Sequence, residues 1–260
     1  MIGIFDSGSG GLTFLTAMKR RYPDWSYVYY ADYEHCPFWE RSPEEIQTLT
    51  IAGVQKLFDA GAEIVILACN TASAWTLRKI QTEVFPDKKV LGVTIPGAEK
   101  VIELWCKRVT VFATEQTVRS RTYAERVGIL DKDVCVEEIA LSWNLVRAIE
   151  DLLPVRQCQS EEDFQKLLAL YSADGWKCDD DRWQLLVEQY FWEFKKREEN
   201  DAIILGCTHY AYLGKPLQRL FSESILIDPS EESAQKLWEY LLRKPDLFQK
   251  IDKTGKIKFL

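Results

Sequence analysis

Short, continuously apolar runs alternate along this chain with longer stretches whose apolar positions recur at helical spacing. Residues 2–5 (IGIF) form the first run, which ends in a turn made by Gly8, Gly10 and Gly11 before a helix predicted over 12–21. Residues 25–31 (WSYVYYA) are rich in aromatics and read as a strand. Ser42 followed by Pro43-Glu44-Glu45 is a helix start, with a capping hydroxyl, a proline at the first helical position and acids in the first turn; that helix runs to Gly61. Residues 63–68 (EIVILA) are a run of the kind buried on both faces of a parallel sheet, and it stops at Cys69-Asn70-Thr71. Further strands are expected over 90–93 and 109–113, with Pro96-Gly97 breaking the chain between them. Residues 142–200 are expected to be mostly helical, and their charged end (EFKKREEND) reads as a solvated face. Residues 202–205 (AIIL) are a last buried strand, ending at Gly206-Cys207-Thr208-His209. Strands alternating with helices predict an α/β architecture with mainly parallel sheets.

Residues 62–71 (AEIVILACNT) and 201–208 (DAIILGCT) echo one another, each placing an apolar strand, a small residue, a cysteine and a threonine. The echo predicts two α/β domains of related topology, with a cysteine at the carboxyl end of a strand in each. Ligands bind at such ends in open α/β sheets. The expected partition is residues 1–95 with 206–260 in a first domain and 96–205 in a second, both cysteines facing one interdomain cleft.

Composition narrows the partners. With 33 Lys and Arg against 40 Asp and Glu, the formal net charge is −7, which argues against a general nucleic-acid binder. No run of about 18 apolar residues is present, so no membrane-spanning helix is expected, and the opening MIGIFDSGSGG lacks the regions of a signal peptide. Seven scattered cysteines, an odd number, suit reduced thiols in the cytoplasm. A small molecule is the expected partner, with no nucleic acid or membrane, and these features are compatible with a homodimer.

The candidate chemistry centres on Cys69 and Cys207. A cysteine between a strand end and a helix start meets helix amides and the positive end of the helix dipole, both of which favour thiolate. Two such cysteines on opposite faces of one molecule could remove a proton from one side and return one to the other, inverting a stereocentre. Cys36, Cys106, Cys135, Cys158 and Cys178 read as ordinary small residues. Asp6-Ser7-Gly8 follows the first strand, where the glycines permit close approach of a ligand and the following helix suits a carboxylate. His209 stands two residues after Cys207, placed to assist proton transfer. Thr114, Thr117 and Ser120 recur every third residue and could hold an anion. No metal site is expected: His35, Cys36, Cys207 and His209 lack metal-binding spacing. No dinucleotide or P-loop motif is present either.

In those residues the chain resembles glutamate racemase, a cofactor-independent family of the aspartate/glutamate racemase superfamily. Asp6-Ser7-Gly8-Ser9-Gly10-Gly11 resembles its D-S-G-x-G-G opening, and Ala68-Cys69-Asn70-Thr71-Ala72-Ser73 its first cysteine motif. Thr114, Thr117, Ser120 and Tyr123 resemble T-x-x-T-x-x-S-x-x-Y, Leu205-Gly206-Cys207-Thr208-His209-Tyr210 the second cysteine motif, and Ile227-Asp228-Pro229 a late segment. The resemblance implies two-base racemisation of glutamate without pyridoxal phosphate or any other cofactor, its D-glutamate going to peptidoglycan. It implies acid/base roles for Cys69 and Cys207 assisted by Asp6 and His209, and substrate binding by Ser7, Pro37, Phe38, Trp39, Asn70, Thr71, Thr117 and Thr208. Glu150 corresponds to the family's acidic residue of the second domain in a poorly matching stretch.

The chain departs from the family at P-Y-G-x-[KR]-S, which is Pro37-Phe38-Trp39-Glu40-Arg41-Ser42 here. Trp39 replaces a glycine whose backbone lines the substrate carboxylate. Its indole is expected at the solvent or on the domain surface, leaving the loop amides in place; the alternatives are that it fills the pocket, selecting aspartate, or blocks it. Other readings are accordingly an aspartate racemase, a related isomerase, or an inactive relative that binds a partner through its acidic or aromatic surface.

Overall fold

The computed structural model describes residues 1–172, 174–196 and 200–260. Its strands are β1 (Ile2–Asp6), β2 (Tyr27–Ala31), β3 (Ile64–Leu67), β4 (Val90–Gly92), β5 (Arg108–Ala113), β6 (Cys135–Ala140), β7 (Tyr171–Ser172), β8 (Gly175–Trp176), β9 (Ala202–Gly206), β10 (Ile225–Ile227) and β11 (Ile257–Phe259). Its helices are α1 (Leu12–Arg21), α2 (Pro43–Asp59), α3 (Asn70–Lys79), α4 (Thr94–Glu103), α5 (Glu115–Ser120), α6 (Thr122–Leu130), α7 (Trp143–Leu152), α8 (Glu161–Leu168), α9 (Asp181–Phe191), α10 (Gly214–Leu220), α11 (Pro229–Leu242) and α12 (Pro245–Lys250). Two sheets, ordered β11-β2-β1-β3-β4 and β10-β9-β5-β6, pair in parallel throughout. Strands β7 and β8 form a small antiparallel hairpin.

The two sheets share one plan. The order β2-β1-β3-β4 corresponds strand for strand to β6-β5-β9-β10, and in both a cysteine lies just beyond the third strand in chain order. The sequence echo is therefore a structural one.

The apolar runs have a physical reason. In β3, Ile64 and Ile66 face a core shared by both sheets, while Val65 and Leu67 face a second core under α2 and α3. In β9, Ile203 and Leu205 face the shared core and Ala202 and Ile204 a third. Strands buried on both faces cannot alternate with polar residues. Local rules hold too: α2 begins with a reciprocal capping box, Glu45 N–H donating to Ser42 Oγ (3.2 Å) and Ser42 N–H to Glu45 Oε2 (2.9 Å).

Some expectations need correction. Pro96 and Gly97 lie inside α4 instead of breaking the chain. A proline in the first helical turn loses no hydrogen bond, since amides there have no partner within the helix, and Gly97 admits the close approach of Pro229. The stretch 206–260 does not return whole to the first sheet: β10 joins the second, and only β11 completes the first, beside β2. Residues 142–200 are helical in α7, α8 and α9 but include the β7–β8 hairpin, and part of their charged end, 197–199, lies outside the described residues. No helix among the described residues is long and apolar enough to cross a membrane.

Phe112 of β5 ties the second sheet to the elements that cover it, with Phe191, Phe194 and Phe221 at ring-centroid distances of 5.0, 5.3 and 5.9 Å. Phe112→Ala is expected to cost about 3–5 kcal/mol of stability, by lost apolar contact and by the cavity left behind. Urea unfolding followed by far-ultraviolet circular dichroism measures it, and a loss below 1 kcal/mol would show that this cluster does not support the sheet.

Candidate active site

Four central strands deliver the site. At their carboxyl ends β1 presents Asp6 and Ser7, β3 leads to Cys69, Asn70 and Thr71, β5 to Thr114 and Thr117, and β9 to Cys207, Thr208 and His209. All of these side chains are buried. They converge on a small cavity lined by Ser7, Cys69, Asn70, Thr71, Thr114, Cys207, Thr208 and His209, with Cys36 and Trp39 from the loop after β2.

The two cysteines have different surroundings. Cys69 caps α3, its Sγ accepting from the Ala72 N–H at 3.4 Å, and Ser7 Oγ lies 3.3 Å away. Helix position nevertheless loses to burial. Desolvation, reinforced by the negative charge of Asp6, pushes the Cys69 thiol up to about 12, opposite to the lowering expected from the helix dipole alone. The Asp6 carboxyl is itself raised to about 6 by burial, partly offset by His209 and by hydrogen bonds from Gly8, Ser7 and Thr208. Asp6 sits behind the cavity wall, with Gly8 N–H donating to its Oδ1 at 2.9 Å.

On the other side, His209 links Cys207 to Glu150. His209 Nδ1 lies 3.9 Å from Cys207 Sγ, and its Nε2 lies 3.0 Å from Glu150 Oε1. Ser9 Oγ donates to the same carboxylate oxygen at 2.7 Å and stands 3.0 Å from Nε2. Burial alone would lower the His209 value, but its bonds to Cys207 and Glu150 outweigh burial and raise it to about 10. Glu150, which burial would raise, is held below its ordinary value by His209 and Ser9. Gly10 is required for this approach, because a Cβ there would stand 2.1 Å from Thr208 Oγ1 and 2.7 Å from His209 Nδ1.

The hydroxyls pair with one another. Thr71, Thr114 and Thr117 form a triangle with oxygens 2.9–3.1 Å apart, bridging the two sheets. Tyr123 Oη donates to Asn70 Oδ1 at 2.6 Å.

Most residues singled out from the sequence meet here. Thr117 supports the wall through Thr114 without lining the cavity, and neither Pro37 nor Phe38 lines it. The Phe38 ring is fully buried against Phe5, so only its backbone is free to serve a ligand. The Trp39 indole, expected at the surface, instead stands half-buried in the cavity wall. Cys36, read as an ordinary residue, also lines the cavity, and a Cβ on Gly8 would stand 3.2 Å from its Sγ. Its place directly before the Pro37-Phe38-Trp39 loop was the available signal. Ser9 was missed because nothing in its glycine-rich surroundings announces the distant Glu150. His35 turns away, its Nδ1 2.8 Å from Asp32 Oδ1.

No protein-family model matches the chain. Among curated proteins, the glutamate racemase of Roseobacter denitrificans is 35% identical over 260 residues, covering 95% of this chain and 87% of the relative. Among solved structures, a glutamate racemase isoform of Bacillus anthracis superposes with a TM-score of 0.79 at 29% identity, covering 100% of this chain and 86% of that one. The glutamate racemase of Francisella tularensis in complex with D-glutamate gives 0.79 at 25% identity, covering 99% and 86%. With two parallel sheets of one plan, a cysteine beyond the third strand of each, and this extent of identity, the chain belongs to the glutamate racemase family of amino-acid racemases.

Proposed function

We propose that this protein interconverts L- and D-glutamate by two-base proton transfer between Cys69 and Cys207, without a cofactor, and that its D-glutamate supplies peptidoglycan synthesis. The observation that carries the reading is that both cysteines line one small cavity at matching strand ends of two like sheets. The names of the relatives support glutamate over aspartate.

The unequal surroundings suggest a starting arrangement. Cys207, with His209 beside it, takes the proton from the α-carbon, leaving the C–H electron pair on carbon. Cys69, a thiol in its buried setting, gives its proton to the opposite face. Its sulfur is then thiolate, accepting from the Ala72 N–H and close to Ser7 Oγ, and the reverse reaction exchanges the roles. His209 and Glu150 stabilise charge around Cys207, while Asp6 orders the Cys69 side. Thr71, Thr114 and Asn70 are the donors for the substrate's carboxylates, the substrate replacing the bond between the two threonines while Thr117 holds them from behind.

Circular dichroism of L- and D-glutamate with purified protein is expected to converge to the racemic signal, with aspartate unchanged; a faster change with aspartate would overturn the substrate. Cys69→Ser and Cys207→Ser should each lower racemisation by about 10²–10⁴-fold, and wild-type rates in either variant would remove that cysteine from the mechanism.

A pH profile separates the assisting groups. kcat/KM is expected to rise through about pH 6 as Asp6 ionises and to fall near pH 10 as His209 loses its proton. Asp6→Asn should abolish the acidic limb. Glu150→Gln removes a group that raises His209, so the basic limb should move to lower pH. A basic limb set by the ammonium of free substrate would stay in place.

A further inference from the structure

The cavity between the cysteines is smaller than the substrate proposed for it. Its free volume is about 10 Å³, room for a single water, whereas glutamate is a five-carbon dicarboxylate. Part of the wall must move for any amino acid to enter. Most of the wall is fixed: the cysteines follow central strands, Thr71 and Thr114 belong to the hydroxyl triangle, and His209 is held by Ser9 and Glu150.

Trp39 is different. It sits in a single turn, 38–40, and its Nε1 is buried without a hydrogen-bond partner, so no polar contact of the indole locks it in place. Beyond it lies a second cavity of about 220 Å³, lined by Thr114, Ala140, Ser142, Trp143 and Tyr210. Trp39 lines both spaces and, with Thr114, forms the partition between them. Tyr210 Oη, in the wall of the second space, is likewise buried without a partner. The loop backbone is anchored: Arg41 Nε donates to the His35 carbonyl at 2.6 Å, Gln116 Nε2 donates to the Arg41 carbonyl at 2.8 Å, and the Phe38 ring is embedded in the core. Movement therefore falls to the Trp39 side chain.

We propose that Trp39 determines access to the cysteines and the size of molecule admitted, its indole swinging into the 220 Å³ cavity to join the two spaces and returning to close over the substrate. This rests on the cysteine cavity being the substrate site. A residue that replaces a glycine in the family pattern thus adds a gate to the cavity.

The test labels the intact chain with iodoacetamide and with the bulkier N-ethylmaleimide and reads each cysteine separately by mass spectrometry. Trp39→Gly is expected to speed labelling of Cys69 and Cys207 by tenfold or more, with the larger factor for N-ethylmaleimide. Exposed Cys135 and buried Cys106 should keep their rates. Ala140→Phe, a substitution at an exposed strand end lining the receiving cavity, should slow Cys69 and Cys207 several-fold by obstructing the swing. Trp39→Phe, the milder variant, should fall between wild type and Trp39→Gly. Unchanged rates at Cys69 and Cys207 in the Trp39 variants overturn the proposal, as does an equal acceleration at Cys106, Cys158 and Cys178, which would mean a loosened fold. The readout needs no turnover, so gated labelling in a protein inert toward glutamate would overturn the proposed reaction and leave the gate standing.

Discussion

Burial of the central strands on both faces is the constraint on which the rest depends. Strands β1, β3, β5 and β9 are enclosed by apolar packing, so buried polar groups other than Thr110 in β5 collect where these strands end. In a parallel sheet all such ends point the same way, and a gap opens where connections leave one strand toward opposite neighbours. Here β1 leads to β2 on one side and has β3 on the other, and β5 lies likewise between β6 and β9. The core shared by both sheets fixes the two gaps against each other. The cysteines meet because of this packing.

The same burial sets the electrostatics. Desolvation raises both the Asp6 carboxyl and the Cys69 thiol, and the charge of Asp6 makes ionisation of Cys69 harder still. Around His209, by contrast, Cys207 and Glu150 supply enough hydrogen bonding and negative charge to keep an imidazolium in a buried place. A pair of chemically identical residues thereby acquires two different settings from its neighbours. Such a difference lets one sulfur receive a proton while the other holds one, and entry of a charged substrate can rebalance it.

The path to the sulfurs is a question of volume more than charge. Close packing leaves almost nothing between the two cysteines, whereas space for a whole side chain lies just beyond Trp39. An aromatic residue at such a partition excludes water when closed and is large enough to unite the two spaces when it moves.

By itself the sequence determined the α/β class, the principal strands, the capped start of α2 and the positions of Cys69, Cys207, Asp6 and His209 at strand ends. These follow from local rules: continuous apolar runs, helix-start chemistry and short motifs need only neighbours in the chain. Tertiary structure decided what depends on distance through space. It gave β10 to the second sheet, drew Cys36 to the cavity and turned Trp39 inward. It joined Ser9 to Glu150 across 141 positions of sequence, and it raised the Cys69 thiol where helix position alone argued for lowering. Each of these outcomes depends on desolvation and packing by segments remote in the chain, and neither is encoded in the spacing of adjacent residues.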